Sequence, residues 1–175
     1  ILLALKACCS HSLGSLEMAH QVPDFDYMTR LEKLRDSYVV AYPSQRLHVI
    51  RQRLDDHHFG PNRLVTSVSA VEAYARCLVL HLRAKTRESL REFYPKYWRK
   101  GPKALVAEYA RARGIEDLPS FFCEDNWKLF GYAIEFRNVI THECTYLGLD
   151  VFPSLIEACE AVLNKVEGLA GSRAK

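Results

Sequence analysis

The chain has little of what marks several large protein classes. Eight glycines and seven prolines in 175 residues leave no low-complexity stretch, and 49% hydrophobic with 26% charged residues is the balance of an ordinary globular domain. No apolar run approaches the roughly 20 residues needed to cross a bilayer, so no membrane contact is expected. The six cysteines (Cys8, Cys9, Cys77, Cys123, Cys144, Cys159) include no CxxC pair. That spacing argues against a disulfide framework and a zinc cluster. Reduced, mostly buried thiols fit a cytoplasmic protein.

Nucleotide-binding and hydrolase signatures are also missing: there is no Walker loop, dinucleotide glycine pattern or nucleophile-elbow serine. No cofactor is expected. Asp55-Asp56-His57-His58 is the densest acid–histidine run. Adjacent histidines on a helix point about 100° apart, and no further ligand stands at metal spacing, so the run reads as a helix end before Gly60. No metal site is assigned.

The chain is long enough to bury one core without staples. Residues 1–22 read as an N-terminal extension, flexible or non-native, since Ile1–Cys9 lacks the flanks of a signal peptide and Met18 would make a sensible start. Residues 23–170 form one domain, and 171–175 a tail. Asp24 or Asp26 can cap a first helix with Met28, Leu31, Leu34 and Tyr38 recurring every three to four residues. Pro43-Ser44 separates it from a second, carrying Leu47, Ile50 and Leu54, with Ser44 as its cap. Asn62 opens a third, with Val65, Val68, Val71, Ala75, Leu78, Val79 and Leu82 as its buried stripe. Thr86 with Ser89 opens a fourth, which Pro95 kinks or stops. Gly101-Pro102 and Gly114 bracket a fifth. A long segment follows Pro119-Ser120 to about Cys144, and Pro153-Ser154 opens the last helix. No convincing strand is found. The expected architecture is all-α, a bundle of five to seven helices.

The densest polar chemistry lies in Arg137-Asn138-Val139-Ile140-Thr141-His142. On a helical wheel Leu129, Tyr132, Ala133, Phe136, Val139 and Ile140 fall on one stripe, read as the core face. Asn138 and His142, spaced i and i+4, share nearly the opposite face, with Arg137 on the flank. Trp127, Phe130, Gly131 and Ile134 cluster toward that outer side. A two-fold homodimer would cover them and bring two Arg/Asn/His sets together; alternatively they lie under another helix of the same chain.

Arg137-Asn138-x-x-x-His142, on the penultimate helix of a small all-α bundle, resembles the Arg-x(4 to 6)-His motif of the HEPN superfamily, in which a polar residue follows the Arg. The spacing itself occurs three times, also at Arg53–His58 and Arg76–His81. There Leu54 and Cys77 follow the Arg, so only the third copy carries the polar neighbour. The resemblance implies either a metal-independent endoribonuclease of toxin or defence type or a non-catalytic module that binds RNA, a nucleotide or a protein. HEPN toxins encoded beside a nucleotidyltransferase antitoxin carry Tyr two residues after the His. Here Cys144 holds that position, a departure from the subtype that leaves an antitoxin or nucleotidyltransferase partner open.

The chemistry that the resemblance implies uses the RNA's own 2′-OH as nucleophile. His142 would move the proton, because an imidazole titrates near neutral pH. Arg137 would hold the charge developing on phosphate, and Asn138 would orient the imidazole or bind a phosphate oxygen. The expected products are a 2′,3′-cyclic phosphate and a 5′-OH. Glu72 can support Arg137 or His142, or pair with Arg76 at i+4.

The net charge of +3 is unevenly spread: residues 85–113 hold nine Lys/Arg against three Glu. Arg91, Lys96, Arg99, Lys100 and Lys103 interleave with aromatic residues including Tyr97 and Trp98, a mixture that can neutralise phosphates and stack unpaired bases. The plainer reading is a solvated charged face above core aromatics.

Overall fold

A computed structural model of the chain describes residues 27–55, 62–143 and 151–171. Among these residues there are eight helices and no strand: α1 (Tyr27–Val39), α2 (Pro43–Asp55), α3 (Arg63–Arg83), α4 (Arg87–Tyr97), α5 (Pro102–Ala112), α6 (Leu118–Phe122), α7 (Glu124–His142) and α8 (Phe152–Gly171). The all-α expectation is met, with the short α6 as the element not separately foreseen. None of the helices is long and apolar enough to cross a membrane. Asp24, Asp26, Asp56, His57, His58, Cys144 and Tyr146 lie outside the described residues.

Local chemistry sets most boundaries. Thr86 and Ser89 form a reciprocal capping box at the start of α4. Pro95 lies inside that helix, close to its end. It sits in the last turn, and the helix ends two residues later, at Tyr97. Gly101 and Pro102 open α5 as N-cap and first residue. Its far end is a complete Schellman closure: the Gly114 N–H donates to Arg111 O (2.9 Å) and the Ile115 N–H to Ala110 O (3.1 Å). Gly114 takes the positive φ of 86° that this closure requires. Ser44 is not the cap of α2. The helix starts one residue earlier, at Pro43, and the side chain of Gln45 reaches back to the Tyr42 N–H (3.1 Å).

Helix α3 is the centre of the bundle, in contact with α2, α4, α5, α7 and α8. Leu64, Val68, Val71 and Ala75 on α3 meet Leu105 and Val106 of α5 and Val162, Leu163 and Val166 of α8 in one core, all essentially without solvent exposure. Each such aliphatic side chain larger than alanine contributes roughly 1.5–3 kcal/mol on burial. Helix α1 joins this body mainly through α4. Its Leu31, Leu34 and Tyr38 are exposed rather than buried.

Candidate functional site

Helix α7 is rotated relative to the wheel reading. Its buried residues are Trp127, Phe130, Ala133 and Ile140, whereas Tyr132 and Val139, assigned to the core, are about half exposed. The phase differs by roughly 100°, one residue along the helix. That rotation buries the main anchors of the expected dimer face, Trp127 and Phe130. Trp127 stacks on Phe122 of α6 (centroids 5.0 Å, planes 14° apart) and lies 6.0 Å from Phe130, inside the chain's own core. Ile134 packs against that core. Gly131 faces α5, where a Cβ would come within 3.1 Å of the Lys103 ammonium.

The same rotation carries Arg137 inward. Its side chain retains only 20% exposure, and its guanidinium meets Glu72 of α3 (Nη2–Oε2, 3.4 Å). The other oxygen of Glu72 binds Arg76, four residues along α3. Arg76 also donates to two carbonyls at the C-terminal end of α4, Tyr97 O (Nε, 3.2 Å) and Trp98 O (Nη2, 3.4 Å). Glu72 therefore serves both partners named for it, Arg76 and Arg137. Two guanidinium groups share one carboxylate, so this part-buried cluster keeps one unit of positive charge.

The two arginines are not equally satisfied. Arg76 has the carboxylate and two carbonyls, whereas Arg137 has one long hydrogen bond and a buried Nε with no partner. A guanidinium carries five N–H donors, and leaving one buried and unbonded costs of order 1–3 kcal/mol. Arg137 thus keeps donor capacity that the Glu72 carboxylate does not fill.

Asn138 is half-buried beside it, and His142 is exposed at the end of α7. The Thr141 hydroxyl back-bonds to Arg137 O (2.7 Å) and fixes the last turn. Five residues at about 100° each separate Arg137 and His142 by roughly 140° around the helix, and no contact joins them. The structure brings Arg137, Glu72 and Arg76 together; it does not bring His142 to them.

The basic segment divides into residues that are used internally and residues that are not. Tyr97 is buried, and its hydroxyl donates to Glu108 (3.1 Å), so it cannot stack a base. Lys100 binds the other oxygen of Glu108 (2.6 Å). Burial works against the Glu108 carboxylate, but the Lys100 and Tyr97 hydrogen bonds and the charges of Lys100 and Arg83 outweigh it, holding the carboxyl below its ordinary value. Arg91 is bound to both oxygens of Asp36 on α1. Lys103 lies over Trp127 (4.8 Å) at the groove between α5 and α7. Lys96, Trp98 and Arg99 remain exposed. The sequence reading missed Arg76 as an anchor of the α4 end and Arg35, which stands over Trp98 (5.7 Å). Neither has a local signal, since both act across helices distant in sequence.

No family model, curated protein or solved structure matches the chain. The HEPN resemblance stands on the Arg137–His142 residues and the helical pattern.

Proposed function

We propose that the chain is a HEPN-like RNA-acting domain and that its activity is metal-independent endoribonucleolytic cleavage centred on Arg137, Asn138 and His142. The observation that carries this reading is the under-satisfied Arg137 guanidinium, held toward α3 by Glu72 with its Nε unbonded. A scissile phosphate at the part-exposed edge of the guanidinium would add charge-assisted bonds that strengthen as the phosphorane gains charge, the buried Nε staying out of its reach. The 2′-oxygen attacks phosphorus, the P–O5′ bond breaks, and the 2′ proton leaves to a base while the 5′-oxygen receives one. His142, exposed at the end of α7, is the group suited to that transfer. A second copy bringing its own His142 would provide separate base and acid. Because Trp127 and Phe130 are core residues, such a dimer would use the outer face of α7, where Tyr132 and Val139 are exposed.

A second reading is favoured by the separation of Arg137 from His142: a non-catalytic module in which Arg137 grips an RNA phosphate and His142 has no chemical role. Incubation of labelled single-stranded RNA with the protein in EDTA decides between them. The cleavage reading requires fragments ending in 2′,3′-cyclic phosphate, lost in Arg137→Ala and His142→Ala with helical circular dichroism intact. Retention of uncleaved RNA, weakened by Arg137→Ala but not by His142→Ala, would establish the binding module instead. Neither cleavage nor binding removes both.

A further inference from the structure

A cavity of about 480 Å³ opens between α1 and α4, remote from α7 in sequence and lined by residues the cleavage chemistry does not use. Its size lies in the range that holds small ligands, roughly 300–1,000 Å³. Four features of its wall stand together. Trp98 presents an indole that is 45% exposed, whereas the second tryptophan, Trp127, is buried. Tyr94 and Pro95 continue the apolar surface beside it. The Arg35 guanidinium, in the same wall, stands 5.7 Å from the indole centroid; Arg99, outside the lining, stands 5.5 Å from it. Glu32, one turn before Arg35 on α1, brings an exposed carboxylate into the same wall. The neighbouring acid, Asp36, is already committed to Arg91, and that two-point bond fixes α1 against α4.

From this arrangement we infer that the α1–α4 cavity is a nucleobase site, and that the base it selects is guanine. An indole face with the Arg35 guanidinium beside it provides stacking for a planar base and charge for its phosphate. A free carboxylate at the edge of that platform accepts from two adjacent N–H groups at once. Guanine offers that pair, its ring N1–H and exocyclic amine, whereas adenine has no ring N–H on the same edge. The cavity takes either a free guanosine nucleotide or an unpaired guanine in a strand; the recognition chemistry is the same.

Titration of the whole chain with 5′-GMP, 5′-AMP and a short single strand holding one guanine, read by tryptophan fluorescence, tests the site. GMP should quench saturably, with AMP about tenfold weaker. Glu32→Gln should erase most of that preference, and Arg35→Ala should weaken GMP more than guanosine. Trp98→Phe should retain binding and Trp98→Ala weaken it about tenfold or more, as loss of a stacking platform does. Binding to Trp98→Ala and Arg35→Ala is followed by calorimetry. Equal affinity for GMP and the strand assigns a mononucleotide ligand, and tighter binding of the strand assigns an unpaired base of RNA. Absence of saturable binding by both GMP and the strand, or equal binding to wild type and folded Trp98→Ala, overturns the inference. Arg137→Ala should keep saturable GMP binding and its preference over AMP, so failure here and failure of the cleavage reading are separable.

Discussion

Arg137 is a residue whose place in the structure works against stability. It is four-fifths buried, bonds Glu72 at 3.4 Å, and leaves its Nε without a partner. Removing one partner of a buried ion pair is costly when it strands the other, but without Arg137 the Glu72 carboxylate keeps Arg76 and no charge is stranded. Arg137→Met should therefore hold or raise the stability by up to about 1 kcal/mol while abolishing RNA cleavage or binding, measured by urea unfolding beside the RNA assay. A large loss of stability would mean that Arg137 is mainly structural. Glu72→Gln should behave oppositely, because it strands two guanidinium groups in place of one. Hydropathy alone could not place Arg137, since a wheel assigns every arginine to solvent. Its burial follows from a carboxylate 65 positions away in sequence.

Among the elements, the junction of α6 and α7 explains why the α7 face was misread. Cys123 joins them at φ 70°, the one positive φ of a non-glycine among the described residues. For an L-residue that conformation costs roughly 1–2 kcal/mol. Cys123→Gly should relieve it and, after the added unfolded-chain entropy, gain about 0.5–1 kcal/mol. At this chain length that is a rise of about 2–4 °C in Tm per kcal/mol, readable by thermal melting; no rise, or a fall, would show the turn to be unstrained. The turn swings α6 back so that Phe122 stacks on Trp127, and this contact draws Trp127 and Phe130 inward. Capping signals at Thr86, Gly101-Pro102 and Gly114 were legible because each acts within a few residues. The rotation of α7 was not, because aromatic residues surround that helix and only its neighbours choose among them. At the end of α4, Tyr97 and the C-cap Trp98 are adjacent and chemically alike in sequence, yet Trp98 is exposed and Tyr97 closes on Glu108.

For the molecule as a whole, the core contains groups that ionise only when it opens. Burial pushes the thiols of Cys77 and Cys159 up to about 12 from an ordinary 9.0, and the Tyr74 phenol, also by burial first, to about 12. Between pH 9 and 12 the unfolded chain has released these thiol protons and the folded chain has not. The unfolded state then binds fewer protons, so unfolding becomes easier as pH rises, by about 1.4 kcal/mol per pH unit for each thiol. Urea midpoints should fall from pH 8 to pH 10, and Cys159→Ala should remove about half of the thiol share. Equal midpoints at the two pH values would place both thiols in contact with water.

Arg76 is also a mechanical joint. One side chain grips the carboxylate that holds Arg137 and the last carbonyls of the helix that carries Trp98. The proposed phosphate grip and the proposed base site are thus joined through one side chain. If a base on Trp98 shifts the end of α4, the Glu72–Arg137 contact feels it, and thermodynamic reciprocity requires a phosphate on Arg137 to change the affinity at Trp98 by the same factor. Cutting the joint at Arg76 would leave each surface standing but make the two deaf to one another.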